Sequence, residues 1–318
     1  MPLIGLDVGT AYCKAYGDTG RVIFPSMVLM RRKTVWNRIK RRPLTLVGEA
    51  AEKALAEKGR LLRPVREGRV VHEDTYQTVV LEALYRLGLP PEQTRAVVGT
   101  LCRPTEEEMG RLEKILKERV KLGDVQVYPA SLGALLAMGL DSGVVVDIGE
   151  GTTGYLAVED REVVDFGTTA VAADSVLDAL HDLVLTDLEA DLKKEEIRML
   201  VTGSRKTVSR YTATLGVKTV TGEKIKEMAK QEAVFFAEEL AEWMRTYLAS
   251  APTSALENPI LTGGGSLIYR EALTSLIPEV SFKVPTDVIY ANAEGLFKIA
   301  KETFAAPPLA PAPTSSVK

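Results

Sequence analysis

The sequence predicts a bilobed α/β protein built around two copies of one motif, and three observations carry that expectation. A strand, an acidic-glycine turn and a hairpin open the chain and recur about 140 residues later. Strands alternate with helices between the copies, as in an α/β protein. A third glycine cluster, Gly263-Gly264-Gly265, follows a short apolar run and opens a helix. With 318 residues, 46% of them hydrophobic, the chain can bury a large core, which excludes a disordered polymer.

The first copy begins with the apolar run Leu3 to Val8, which stops at Gly9. Cys13 to Tyr16 and Arg21 to Phe24 flank the turn cluster Gly17-Asp18-Thr19-Gly20 and read as a hairpin. Glu49 to Lys58 and Thr75 to Arg86 have helical spacing, and Ala96 to Gly99 reads as a buried strand. Thr105-x-x-Glu108 is a capping box opening a helix to about Lys121. After a strand at Val125 to Val127, Pro129 suits the start of a helix that the small-residue stretch Ser131 to Leu140 continues until Gly143. The second copy is the apolar run Val144 to Ile148, the loop Gly149-Glu150-Gly151, and Tyr155 to Val158 turning at Glu159-Asp160 into Val163-Val164. Helices are then expected over Asp174 to Leu185 and Lys193 to Leu200, with a hairpin about Leu215-Gly216. The longest helix is expected over about Glu223 to Ala249. Pro259 to Leu261 reads as a short strand before the third glycine cluster. A last helix covers Ala291 to Thr303, and the Pro- and Ala-rich end reads as a disordered tail.

Composition narrows the partners. The formal net charge is −3 with both signs interspersed, so no global field points to nucleic acid, a membrane surface or an acidic substrate. Cys13 and Cys102 lie beside apolar runs without metal-ligand or disulfide spacing, as a reducing compartment permits. No apolar run approaches the roughly 20 residues of a membrane span, and the N-terminus lacks a signal-peptide layout, so the expectation is cytoplasmic. Arg31, Arg32, Lys33, Arg38, Lys40, Arg41 and Arg42 surround Trp36, a basic segment read as a solvated loop in preference to a nucleic-acid or lipid patch. His72 and His181 lack neighbouring ligand types at metal spacing. Met228, Ala229, Phe235, Phe236, Leu240 and Trp243 form a stripe read as core.

The chemistry sits in the repeated turns. Asp7-Val8-Gly9-Thr10 and Asp147-Ile148-Gly149-Glu150-Gly151-Thr152-Thr153 each put a carboxylate at a strand end, then glycines and hydroxyls. Glycines let backbone N–H groups approach phosphate oxygens, and the threonines add donors. A carboxylate beside such a loop repels phosphate unless a cation lies between, and Mg²⁺ is held by one or two carboxylates while keeping its waters. Asp7 and Asp147 are therefore the expected magnesium-side pair. One such turn is explained by an ordinary hairpin; two copies in one chain favour a shared phosphate site.

In order, Asp7-x-Gly9-Thr10, Asp147-x-Gly149-x-Gly151-Thr152-Thr153 and Thr262-Gly263-Gly264-Gly265 resemble the two phosphate motifs and the adenosine motif of the actin, sugar kinase and large heat-shock chaperone superfamily. Val47-Gly48-Glu49-Ala50-Ala51 and Arg63-Pro64-Val65-Arg66-Glu67-Gly68 resemble the bacterial actin MreB. Lys14 and Tyr290-Ala291-Asn292-Ala293-Glu294-Gly295 look more like the plasmid-segregating actin ParM. The resemblance implies an actin-like ATPase fold, two ribonuclease-H-like lobes closing on ATP and Mg²⁺ in the cleft between them, and head-to-tail polymerisation. It implies lobe I over 1–142 with a small subdomain at about 30–75, and lobe II over 143–290 with one at about 175–225. Residues 291–304 return to lobe I and 305–318 form the tail. By the same resemblance Gly9, Thr10, Ala11 and Lys14 meet the phosphates from one lobe. Gly149, Gly151, Thr152 and Thr153 meet them from the other. Gly263, Gly264, Gly265 and Ser266 face the ribose and base. Glu196 and Arg198 fall on the helix corresponding to the base-contacting one, with an exposed salt-bridged helix face as the competing reading.

One departure bears on catalysis. Where the family carries a Glu or Gln that orients the attacking water, this chain reads Tyr128-Pro129-Ala130-Ser131. Slow hydrolysis is the expectation, with Ser131 and Glu150 as substitutes that the sequence does not rank. The functional expectation is a filament-forming ATP-binding protein whose partner is itself, used with an adaptor or DNA-bound partner in DNA segregation or cell-shape organisation. It has no direct membrane anchor and no direct nucleic-acid binding. The rivals are a small-molecule kinase on the same scaffold and a non-polymerising nucleotide-binding scaffold.

Overall fold

Leu3–Val8 (β1) is buried at five of its six positions because it lies between two neighbours in a sheet. The computed structural model describes residues 1–34, 37, 39, 43–54, 59–100, 104–211 and 216–305. Tyr12–Gly17 (β2) and Gly20–Pro25 (β3) follow as antiparallel strands, their turn at 17–20 as expected. A smaller antiparallel sheet comes next, from Val28–Arg31 (β4), Thr45–Val47 (β5) and Gly59–Leu62 (β6), with the helix Glu49–Lys53 (α1) inserted. A short hairpin, Val65–Arg66 (β7) and Arg69–Val70 (β8), leads into the helix Glu73–Leu87 (α2). Arg95–Thr100 (β9) joins β1 in parallel, and Asp124–Pro129 (β10) joins β9, giving the order β10-β9-β1-β2-β3. Between them, Glu106–Lys114 (α3) opens on the Thr105–Glu108 capping box and runs into a wider turn over Ile115–Val120.

Ala130–Ala137 (α4) carries the chain away from this sheet. It ends earlier than its small-residue stretch suggests, because Gly139 takes a positive φ of 73° and its N–H closes on the Leu136 carbonyl. The opening then repeats. Gly143–Ile148 (β11) pairs with antiparallel Thr153–Glu159 (β12), which pairs with Glu162–Thr169 (β13). Helices Ala173–Thr186 (α5) and Lys194–Thr202 (α6) follow, then the hairpin Thr207–Tyr211 (β14) and Val217–Thr221 (β15). The long helix Gly222–Ser250 (α7) and the turn Thr253–Leu256 (α8) precede Pro259–Thr262 (β16), which lies parallel to β11. The second sheet is thus β13-β12-β11-β16. Ser266–Leu276 (α9) and Ala291–Ala305 (α10) complete the described chain.

Each sheet owns a core: Leu6, Val79 and Leu116 belong to the first, and Val146, Leu180 and Leu240 to the second. A third cluster, including Val97, Leu135, Val145, Ile260 and Leu296, seats both sheets against α4 and α10. These two helices cross with backbone in contact. A Cβ added at Gly295 would lie 1.7 Å from the Gly133 carbonyl oxygen, and one at Gly133 would lie 2.3 Å from that of Asn292. On its other side α10 meets β1, where a Cβ at Gly5 would lie 2.2 Å from the Ala293 carbonyl oxygen.

Phe235, expected in the core stripe of α7, is 67% exposed. Ala229, Ala233, Ala237 and Ala241 fill the inner face at helical spacing and turn Phe235 outward, whereas Met228 and Leu240 are buried and Phe236 and Trp243 pack at the edge. Cys102, Leu215, residues 55–58, the tail from 306, and Trp36, Arg38, Lys40, Arg41 and Arg42 of the basic segment lie outside the described residues. Among the described residues no helix is long and apolar enough to cross a membrane.

Candidate functional site

The two acidic-glycine turns are built alike. In the first, Gly9 N–H donates to the Tyr12 carbonyl (3.0 Å); in the second, Gly149 N–H donates to the Thr152 carbonyl (2.9 Å). Each caps an antiparallel pair whose leading strand also has a parallel neighbour, β9 for β1 and β16 for β11. The turns face one another: a Cβ on Gly151 would lie 3.0 Å from Thr10 Oγ1. Between them is a cavity of about 720 Å³, within the range of a small-molecule site.

Asp7, Gly9, Thr10, Ala11 and Lys14 line this cavity from the first turn, and Asp147, Gly149, Glu150, Gly151 and Thr152 from the second. Gly263, Gly264 and Gly265 line it from the third cluster. That cluster is wedged against the second turn. Gly263 has φ +84°, a Cβ there would lie 2.3 Å from Asp147 Oδ1, and Gly265 N–H donates to the Ile148 carbonyl (2.8 Å). Gly264 meets nothing within 4 Å, so its bare backbone borders open space. Thr153, Ser266 and Glu196 do not reach the cavity. The first two donate their hydroxyls to the Val171 carbonyl (2.7 Å) and the Gly263 carbonyl (2.6 Å). Glu196 accepts from Lys193 N–H (3.0 Å) and pairs with Arg210 and Arg205.

Arg198 does line the cavity, and its guanidinium grips Glu150 with two parallel hydrogen bonds of 2.7 Å. The exposed-face reading is corrected here: Glu196 and Arg198 are each only 6% exposed. The fork takes one acceptor site on each Glu150 oxygen and fixes the direction of this carboxylate. Ser131 lines the cavity beside Ala130, and its hydroxyl bonds Asp147.

Charge at the floor is unbalanced. Lys14 Nζ donates to Asp7 Oδ2 (2.9 Å). Burial alone would lower the Lys14 pKa, but the Asp7 charge and hydrogen bond, with Asp147 behind, raise it above its ordinary value. Asp147 is pushed above the usual carboxylate range, chiefly by burial and further by Asp7, against hydrogen bonds from Asn292 and Ser131 and the Lys14 charge. Two carboxylates thus share one lysine. Among the described residues no group of three or more His, Cys, Asp or Glu gathers as a metal cage. A hydrated Mg²⁺ needs only one or two carboxylates plus phosphate oxygens, so this donor set fits it.

Three polar residues at the site were not singled out from sequence. Tyr12 lines the cavity, as does Thr202 on α6. Arg63 Nη1 donates to the Thr10 carbonyl (2.8 Å) while Nη2 stands 3.7 Å from Glu195 on α6. Asn292 Nδ2 donates to Asp147 Oδ2 (2.7 Å) from the first turn of α10. The motifs around Arg63 and Asn292 were visible, but only folding brings them to the cleft.

No protein-family model and no curated protein matches the chain. Solved structures do. A double-helical filament of MamK aligns over 94% of this chain and 98% of its own at TM-score 0.80 and 17% identity. MreB5 of Spiroplasma citri bound to ADP aligns over 95% and 97%, at TM-score 0.76 and 18% identity. The same protein bound to AMPPNP aligns over 96% and 97%, at TM-score 0.76 and 20% identity. With its paired sheets and intervening cleft, the chain has the actin-like fold that it shares with MamK and MreB5.

Proposed function

We propose that this chain is an actin-like cytoskeletal protein of the cytoplasm that binds and hydrolyses ATP with Mg²⁺ and assembles into filaments of itself. The observation that carries the reading is the pair of like-built turns facing each other across one cavity, with two carboxylates and a single lysine at its floor. Filament-forming and nucleotide-bound proteins of the same fold support it. Lobe I is taken as 1–142 and lobe II as 143–290, with 291–304 returning to lobe I. DNA segregation or cell-shape organisation, with an adaptor or DNA-bound partner, is the role this reading assigns.

Backbone N–H groups at Thr10 and Ala11, with Gly9 leaving the approach to them bare, the Lys14 ammonium, and the turn from Gly149 to Thr152 hold phosphate oxygens from two sides. Asp7 and Asp147 hold Mg²⁺ through its waters. Gly264 lets ribose and base lie against bare backbone. ATP supplies the phosphoanhydride that is cleaved. A ligand gripped by both turns favours the closed cleft by its differential affinity, and loss of the terminal phosphate relaxes it.

One observation favours a second reading, a nucleotide-binding scaffold that does not polymerise. The segment Tyr128-Pro129-Ala130-Ser131 offers no carboxylate or carboxamide to orient a water, and Glu150 is held by Arg198. Sedimentation and light scattering separate the readings. Both signals rise with Mg-ATP in the filament reading and fall for Asp147→Ala; turnover or binding without any sedimenting polymer overturns it.

A further inference from the structure

Asp147 is held by residues outside its own sheet. Its Oδ2 accepts from Asn292 Nδ2 at 2.7 Å, and Ser131 adds a hydroxyl. Its Oδ1 is the atom that a Cβ on Gly263 would meet at 2.3 Å. Asn292 belongs to the first turn of α10 and Ser131 to that of α4, the two helices whose backbones touch at Gly133 and Gly295. The carboxylate is thus clamped between the crossing helices and the third glycine turn.

Asn292 is only 7% exposed, and its Oδ1 is buried without a hydrogen-bond partner among the described residues. A buried acceptor left unpaired costs stability, and an apolar side chain of the same shape avoids that cost. The carboxamide therefore serves the fold poorly at this position while supplying one donor to one acidic oxygen. Residues that break a local rule concentrate where function requires them.

We propose that Asn292 is a positioning residue for the nucleotide site: its amide fixes the Asp147 carboxylate toward the magnesium-side end of the cavity. The inference rests on the nucleotide reading above. Because the grip comes from α10, the orientation of Asp147 follows the crossing of α4 and α10 that joins the two sheets. Partners that orient a metal-side ligand typically contribute about 10–100-fold in metal affinity or activity.

The test uses the full chain as Asn292→Leu, with Asn292→Ala as a second variant. Melting without nucleotide, binding of a fluorescent ADP analogue with Mg²⁺ and with EDTA, and kcat and KM for ATP are measured on each. Asn292→Leu removes the orphaned Oδ1 but also takes a donor from Asp147, so its melting temperature is expected to change by only a few degrees, and it is expected to bind the analogue in EDTA within about twofold. The tightening by Mg²⁺ is expected to shrink about 10-fold and kcat to fall by a similar factor, with KM nearly unchanged. Unchanged Mg²⁺ dependence and kcat overturn the proposal. So does an equal loss of binding with and without Mg²⁺ in both variants, since that outcome makes Asn292 structural. An unmodified chain that binds no nucleotide would instead overturn the functional reading itself.

Discussion

Gly295→Ala tests whether the backbone contact between α4 and α10 is what joins the two halves. The new methyl would lie 1.7 Å from the Gly133 carbonyl oxygen and 2.4 Å from the Gly133 carbonyl carbon. Ordinary contact lies near 3.5 Å, so one helix must move by roughly 1.5–2 Å. Retreat is blocked, because on its far side α10 already lies against β1 at Gly5. Overpacking a close-packed site costs about 1–3 kcal/mol, and a rigid backbone on both sides puts this one at the upper end. Alanine returns about 1 kcal/mol through its better helix propensity. The net loss is about 2 kcal/mol or more, a fall of about 3 °C or more in melting temperature at this chain length. Gly110→Ala is the control. It is the same substitution inside the helix α3, where an added Cβ meets nothing within 4 Å, so only the propensity gain remains and melting rises by about 2 °C. Circular dichroism melts of the two variants should move in opposite directions. A Gly295→Ala protein that melts at or above the unmodified chain refutes the steric argument.

Burial raises the Asp147 pKa, and the Asp7 charge adds to it. The empty fold therefore gains stability from this group fully below the unfolded carboxylate value near about 3.9 and loses it as pH rises through the raised folded value. Asp147→Asn should raise the melting temperature of the nucleotide-free protein at neutral pH and flatten its dependence between about pH 4 and pH 8, while weakening Mg-nucleotide binding; a lower neutral-pH melt contradicts this. Arg63 joins the first turn to α6 through the Thr10 carbonyl and Glu195. Arg63→Ala should speed release of a fluorescent nucleotide several-fold, measured by stopped flow, and an unchanged rate excludes that link. Cys13 is fully buried, and burial followed by the Asp7 charge pushes its thiol far above the ordinary range. In a Cys102→Ser background it should stay unreactive to thiol reagents at neutral pH until denaturant is added, and ready labelling of the native protein would count against the buried position.

Local pattern carried most of the architecture. The strand-turn-hairpin units at Leu3–Phe24 and Val144–Val164 were readable because apolar runs, glycines and turn residues act within a few positions of one another. The Thr105 capping box was readable for the same reason. Phe235 was misplaced because α7 presents more apolar side chains than one face holds, and only packing decides that alanines fill the interior. Glu196 and Arg198 looked like a solvated charge pattern, yet Glu196 serves the α6 terminus and Arg198 grips Glu150 across 48 residues of chain. Asn292 lies 145 residues from Asp147, so no local signal could join them.

The charge arrangement bears on which cleft geometry is preferred without ligand. With Lys14 hydrogen-bonded to Asp7, the ionised form of Asp147 has hydrogen-bond donors and, among the described residues, no ion-pair partner of its own. Drawing the two turns together strips water from that charge, and removing solvent from an uncompensated carboxylate is costly. In the function proposed above, opening would restore the water and favour an open cleft in the empty protein. A bound cation reverses the balance, since it neutralises the excess while phosphate oxygens satisfy the N–H groups of both turns. Such a ligand moves the equilibrium only by the difference in its affinity for the two geometries, and a swing from about 1:99 to 99:1 requires about 5.5 kcal/mol. A ligand touching one turn alone has no such difference to offer. In the function proposed above, the duplication of the turn is what would let occupancy of the cavity set the angle between the halves.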